Sequence, residues 1–137
     1  MRKVIAFSVT FVLFLSGCSA LLQPSDIFYS GMETFCEVAP KSPLDSSPAY
    51  SFGTCVTIVD QTQKDGVYES QSANLFKKLP VINGENKNIF YAGVLAFCKI
   101  APAPTGSKFA NMYSERECNN LVSQAIANDY YGQFKDK

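Results

Sequence analysis

The residues able to do chemistry in this chain are its cysteines and a few carboxylates. Histidine and tryptophan are absent from its 137 residues. Without His there is no Ser-His-Asp or Cys-His nucleophile pair and no ordinary zinc site. Glu33 and Glu37 lie at i and i+4, one helical face apart, and paired carboxylates can share acid–base work. A charged i,i+4 pair is more often a solvated face, and the positions 62 residues later hold Leu95 and Lys99. No S-x-x-K, G-x-S-x-G or Gly-rich phosphate loop is present, so the expectation is a protein that is not an enzyme and carries no cofactor. Lys and Arg number 12 and Asp and Glu number 12, a balance that does not favour nucleic acid as a partner.

The five cysteines divide into one and four. Arg2 and Lys3 precede a nearly unbroken apolar run, Val4 to Leu15, whose 12 residues are short for a bilayer span but right for the core of a signal peptide. The run ends Leu15-Ser16-Gly17-Cys18, which resembles the lipobox of bacterial lipoproteins. The resemblance implies a diacylglyceryl thioether on the Cys18 sulfur, cleavage before Cys18, and acylation of its new amine. Ser19, where Asp would mark inner-membrane retention in enterobacterial lipoproteins, implies the outer membrane, with the folded part facing the periplasm. The expected partition is signal peptide over 1–17, lipidated N-terminus and short tether over 18–24, and one helical domain over 25–137. Removing 1–17 takes away Arg2 and Lys3 and leaves 120 residues with 10 basic and 12 acidic groups.

Cys36, Cys55, Cys98 and Cys118 remain. An even number in an exported chain predicts two disulfides, and no C-x-x-C spacing supports a metal site instead. Four cysteines allow three connectivities, and spacing alone does not choose among them.

An internal repeat narrows the choice. Residues 27–40 read IFYSGMETFCEVAP and residues 89–102 read IFYAGVLAFCKIAP, identical at eight of 14 positions. Residues 50–61, YSFGTCVTIVDQ, match 113–124, YSERECNNLVSQ, at Tyr, Ser, Cys, Val and Gln. The offset is 62 in the first pair and 63 in the second. Each unit thus holds two segments with one Cys apiece. Pairing Cys36 with Cys55 and Cys98 with Cys118 staples each unit and respects the equivalence, although the two crossed pairings are also symmetric.

The repeat also assigns structure. Cys55-Val56-Thr57-Ile58-Val59 would pass for a strand. Its counterpart opens with a Ser114/Glu117 capping box and places Cys118, Leu121, Val122 and Ile126 at helical spacing, so both are read as helices. The first segments share a helical period, Phe28, Met32, Phe35 and Cys36 mirrored by Phe90, Val94, Phe97 and Cys98. Pro40 and Pro102 stop these helices. The expectation is an all-α, disulfide-stapled bundle of two helical hairpins with pseudo-two-fold symmetry. Helices are placed near 25–39, 48–63, 87–101 and 114–134, with Ser47 as N-cap and Pro48 as first helical residue. Repeat one runs over about 25–64, the connector over 65–86 with a short helix around 69–79, and repeat two over about 87–137. Gly31 and Gly93, unfavourable within helices, recur in both copies and predict a close approach of two helices.

Residues kept in both copies serve the fold, so positions where the copies differ are the candidates for recognition. These are Glu33, Glu37, Lys108, Phe109, Tyr130 and Tyr131, and Tyr-rich surface suits a protein partner. The segment Phe90-Tyr91-Ala92-Gly93-Val94 with Cys98 and Pro102 resembles the aromatic-x-Gly helix, Cys and Pro of periplasmic immunity proteins that neutralise amidase toxins of type VI secretion. The resemblance implies a non-catalytic inhibitor that plugs a wall-degrading enzyme. An accessory role in an envelope secretion or assembly machine, and a carrier of a small ligand or lipid, are the alternatives.

Overall fold

Two crossing helices make the centre of the molecule, and most other described elements are arranged about them twice. The computed structural model describes residues 22–42, 44–80, 84–103 and 111–136. Helix α1 spans Pro24–Val38, with Pro at its first position and the Asp26 carboxylate accepting the Gln23 N–H at 3.2 Å. A small hairpin follows, β1 over Pro40–Ser42 and β2 over Asp45–Pro48, antiparallel, with Pro40 opposite Pro48 and Ser42 opposite Asp45. Helices α2 (Phe52–Lys64), α3 (Val67–Phe76), α4 (Glu85–Ile100), α5 (Glu115–Ala127) and α6 (Tyr130–Lys135) complete the described chain.

The fold is the expected helical bundle stapled by two disulfides. Cys36 is bonded to Cys55 and Cys98 to Cys118, with Cα–Cα distances of 5.7 and 5.6 Å. Each bridge joins the end of a central helix to the start of the next, and all four sulfurs are buried.

The seam between α1 and α4 follows from two glycines. A Cβ on Gly31 would stand 2.0 Å from the Phe90 carbonyl oxygen, and one on Gly93 would stand 1.9 Å from the Phe28 carbonyl oxygen. Each glycine is thus the seat for the other helix's backbone, and the two contacts exchange under the 62-residue offset. Phe28, Met32 and Phe35 of α1 and Phe90, Val94 and Phe97 of α4 are essentially without exposure around that crossing. The Phe35 and Phe97 rings, equivalent residues, meet edge to face at 5.9 Å.

The same exchange holds elsewhere. The Tyr50 hydroxyl donates to the Pro102 carbonyl at 2.7 Å, and the Tyr113 hydroxyl donates to the Pro40 carbonyl. Ala49 N–H reaches Ala39 O, and Met112 N–H reaches Ala101 O, both at 2.8 Å. At the other end of the bundle the Tyr29 hydroxyl accepts the Tyr68 N–H at 3.0 Å, and the Tyr91 hydroxyl accepts the Tyr131 N–H at 3.1 Å.

Three expectations need correction. The second helix begins at Phe52, capped by the Ser51 side chain, which accepts the Thr54 N–H, just as Ser114 caps α5. Ser47 and Pro48 belong instead to β2, where Pro48 closes the ladder opposite Pro40. The last helix is broken: Asn128 ends α5, and Asp129, at φ 55°, is a left-handed residue whose side chain caps α6. The connector is also not outside the repeat. Gly66, at φ 67°, is the counterpart of Asp129, and α3 is the counterpart of α6, so each unit has three helices.

Candidate functional site

Among the described residues no group of three or more potential metal ligands occurs. No described helix is long and apolar enough to cross a membrane. Every buried side-chain polar atom among the described residues has a hydrogen-bond partner, so no unsatisfied group points into a cavity.

Four tyrosines with displaced titration are structural. Burial pushes the Tyr50 phenol up to about 12. Burial raises Tyr113 further, helped by Tyr50 and Glu117. Tyr29 and Tyr91 are also raised by burial, against the lowering effect of the backbone N–H each accepts. These four tyrosines form two equivalent pairs that hold helix ends and loops together.

The candidate binding residues scatter over several surfaces. Tyr130 and Tyr131 are half-buried rather than exposed. The Tyr131 ring lies 5.5 Å from Phe90, as its equivalent Tyr68 lies 5.2 Å from Phe28, so it serves the fold. Lys108, Phe109 and the proposed lipidation residue Cys18 lie outside the described residues. Glu33 is half-buried and Glu37 exposed, both on the outer side of α1.

Three apolar residues stand beside those carboxylates. Val38, Phe52 and Val56 are 45, 65 and 44% exposed. The Cys36–Cys55 bridge ties the turn carrying Glu37 and Val38 to the turn carrying Phe52 and Val56. The equivalents of Phe52 and Val56 in the second unit are Glu115 and Asn119, so the apolar character belongs to one copy alone. Sequence reasoning missed this because Phe52 and Val56 sit inside a segment whose helical phase is fixed only by its partner. Comparing the two aligned units position by position would have found it.

Among the described residues, several cavities lie beside the central helices. A groove of about 670 Å³ opens where α1, α3 and α4 meet, walled by Pro24, Tyr68, Phe76, Leu79 and Ile89. A second, of about 310 Å³, lies where the chain leaving α3 crosses α4 and α5. Comparison with family models, curated proteins and solved structures finds no match, so the surface is read from its own residues.

Proposed function

We propose that this chain is a lipid-anchored, non-enzymatic binding protein of the bacterial envelope that holds a protein partner on the outer face of its α1–α2 hairpin. The observation that carries this reading is the asymmetry of the two units. The disulfides, the central glycines and the reciprocal tyrosine bonds of the two units correspond, while one outer face exposes Phe52 and Val56 beside Glu33 and Glu37. Exposed aromatic and aliphatic residues rimmed by charge are the usual anatomy of a protein-binding patch. The lipobox at Cys18 supports anchoring at the outer membrane. A non-catalytic inhibitor of a wall-degrading enzyme fits such a patch, since an inhibitor needs shape and charge but no reactive group. An accessory subunit of an envelope machine needs the same.

The test is crosslinking in intact cells, with an affinity tag after Lys137, followed by mass spectrometry of what co-purifies. A single secreted hydrolase in stoichiometric yield supports the inhibitor role, and several assembly proteins together support the machine role. The intact mass of the mature protein reads the lipid on Cys18 directly. The groove between α1, α3 and α4 favours a second reading, a carrier of a small apolar ligand. That reading predicts a ligand retained through purification and visible in the native mass spectrum.

A further inference from the structure

The pseudo-two-fold relation lets the outer faces of the two hairpins be compared residue by residue. Across the α4–α5 hairpin lies the chain that leaves α3. Lys78, Leu79 and Pro80 enclose a cavity together with Leu95, Asn119 and Val122. Leu95 is 2% exposed beneath them, and Leu79 packs against the core. Lys78 lies close enough to Lys99 to disfavour that ammonium's charge, together with partial burial, and the nearby Glu115 offsets part of the effect.

The corresponding surface of the α1–α2 hairpin carries no such segment among the described residues. Glu33 stands where Leu95 is, Val56 where Asn119 is, Val59 where Val122 is, and Glu37 where Lys99 is. Phe52 takes the place of Glu115, and the Cys36–Cys55 bridge ties its turn to the turn carrying Glu37. Asp60 replaces Ser123 but is engaged by Lys64 at 3.1 Å, which leaves Glu33 and Glu37 as the carboxylates on this face.

We propose that the α1–α2 face is a docking groove for a short segment at the end of a helical turn of a protein partner, one presenting a Lys or Arg beside an aliphatic residue and a proline. The molecule contains its own template for that occupant: Lys78-Leu79-Pro80, seated on the equivalent face of the other unit. The proposal rests on the binding-protein reading and gives its partner a chemistry. On the covered face the incoming lysine meets another lysine. On the open face the same place holds Glu37 with Glu33 one turn away, so a cation there gains opposite charge. The aliphatic residue and the proline cover Val56, and Phe52 forms the end wall. A partner so held is steered by charge and loosened by salt.

The chain has no tryptophan, so Phe52→Trp is a single reporter at the groove. The probe is a synthetic peptide, Asn-Leu-Phe-Lys-Lys-Leu-Pro, the chain's own residues 74–80. It is titrated against the processed, membrane-extracted protein carrying Phe52→Trp. Expected is a saturable change in emission, weakened about tenfold by Glu37→Lys and by raised salt, and absent for a peptide with both lysines changed to glutamate. Glu33→Lys is the second variant, in case Glu37→Lys disturbs the end of α1. No saturable change, an equal response to the acidic peptide, or indifference to both charge reversals overturns the groove. A change that follows protein concentration instead of peptide assigns the face to a second copy and overturns the proposal as well. If partner capture in cells persists unchanged in Glu37→Lys while the titration is silent, partner binding stands and the groove falls. If the peptide binds as expected and capture returns nothing, the groove's chemistry stands and the cellular role falls.

Discussion

Replacing Gly93 by alanine tests the seam on which the whole molecule is built. In an ordinary helix interior the change stabilises by about 1 kcal/mol, because alanine is the better helix former. Here the new methyl would lie 1.9 Å from the Phe28 carbonyl oxygen, 2.9 Å from its carbon and 3.2 Å from the Met32 nitrogen. Ordinary carbon–oxygen contacts close at about 3.3 Å, so the two backbones must part by more than about 1 Å. Both walls are main chain, and no side chain can swing away. Parting the helices loosens Phe28, Met32, Phe90 and Val94, and a gap of that size forfeits a quarter to a half of each lost contact. Overpacking of this kind costs about 1–3 kcal/mol, and the upper end applies where neither wall can yield. After the propensity gain, a net loss of about 2 kcal/mol is expected for Gly93→Ala and again for Gly31→Ala. The double variant carries the sharper test. Once one methyl has forced the helices apart, the second finds space already open. The double loss should fall short of the sum by about 1 kcal/mol or more. Guanidinium unfolding followed by far-UV circular dichroism, with both disulfides intact, measures all three. A neutral or stabilised single variant refutes the close crossing, and strict additivity refutes a single shared seam.

Other expectations follow from the same geometry. Tyr50→Phe removes one hydroxyl-to-carbonyl bond between the units and should cost about 1 kcal/mol, read from the same unfolding curves. Because the Tyr50 phenol is raised to about 12 in the fold against 10.0 as its ordinary value, its contribution is complete below pH 10.0 and is lost as pH rises toward 12. Wild type should therefore lose stability over that range faster than Tyr50→Phe does; parallel pH curves would contradict the assignment. The two disulfides close loops of 19 and 20 residues, so removing either pair by double Cys→Ala substitution should cost nearly the same, about 3 kcal/mol each. Peptide mapping without reduction checks the pairing itself. Asp129→Gly should be almost neutral, since glycine suits the left-handed backbone that Gly66 occupies in the first unit. Asp129→Ala should cost about 2 kcal/mol, losing both the cap to Gly132 and the tolerance of that backbone. Equal stabilities of the two variants would count against this account.

What the sequence made legible is what duplication wrote twice. The glycine seam could be read because Gly31 and Gly93 recur inside helical patterns, where glycine has no local advantage. The disulfide pairing was legible only in part: all three connectivities respect the equivalence of the units, and stapling within each unit is the one found. The breaks were harder. Asp129 interrupts α5 and α6 without glycine or proline, because an aspartate side chain can both tolerate the left-handed backbone and cap the next helix. Ser47-Pro48 imitates a helix start, yet the start lies at Ser51, which the Ser114 capping box would have located by subtraction of 63. The short β hairpin has strands of three and four residues, too brief for alternation to register. The open face of α1–α2 was half legible: Glu33 and Glu37 stood out, but Val56 and Phe52 stand out only when the two units are compared position by position.

The reciprocal bonds from Tyr50 to Pro102 and from Tyr113 to Pro40 have a consequence for how such a molecule can arise and be taken apart. Each unit supplies a donor to, and an acceptor from, the other, which is the contact pattern of an isologous homodimer. A single three-helix unit would present its glycine, its phenylalanines and its tyrosine to an identical copy and find every group answered. Fusion of two such copies leaves the chain between α3 and α4 as a covalent convenience, since the interface itself closes around the symmetry axis. Fusion also releases the two outer surfaces from having to be the same. In a homodimer a segment laid over one hairpin is laid over both; in the fused chain one hairpin carries a cover that the other lacks among the described residues.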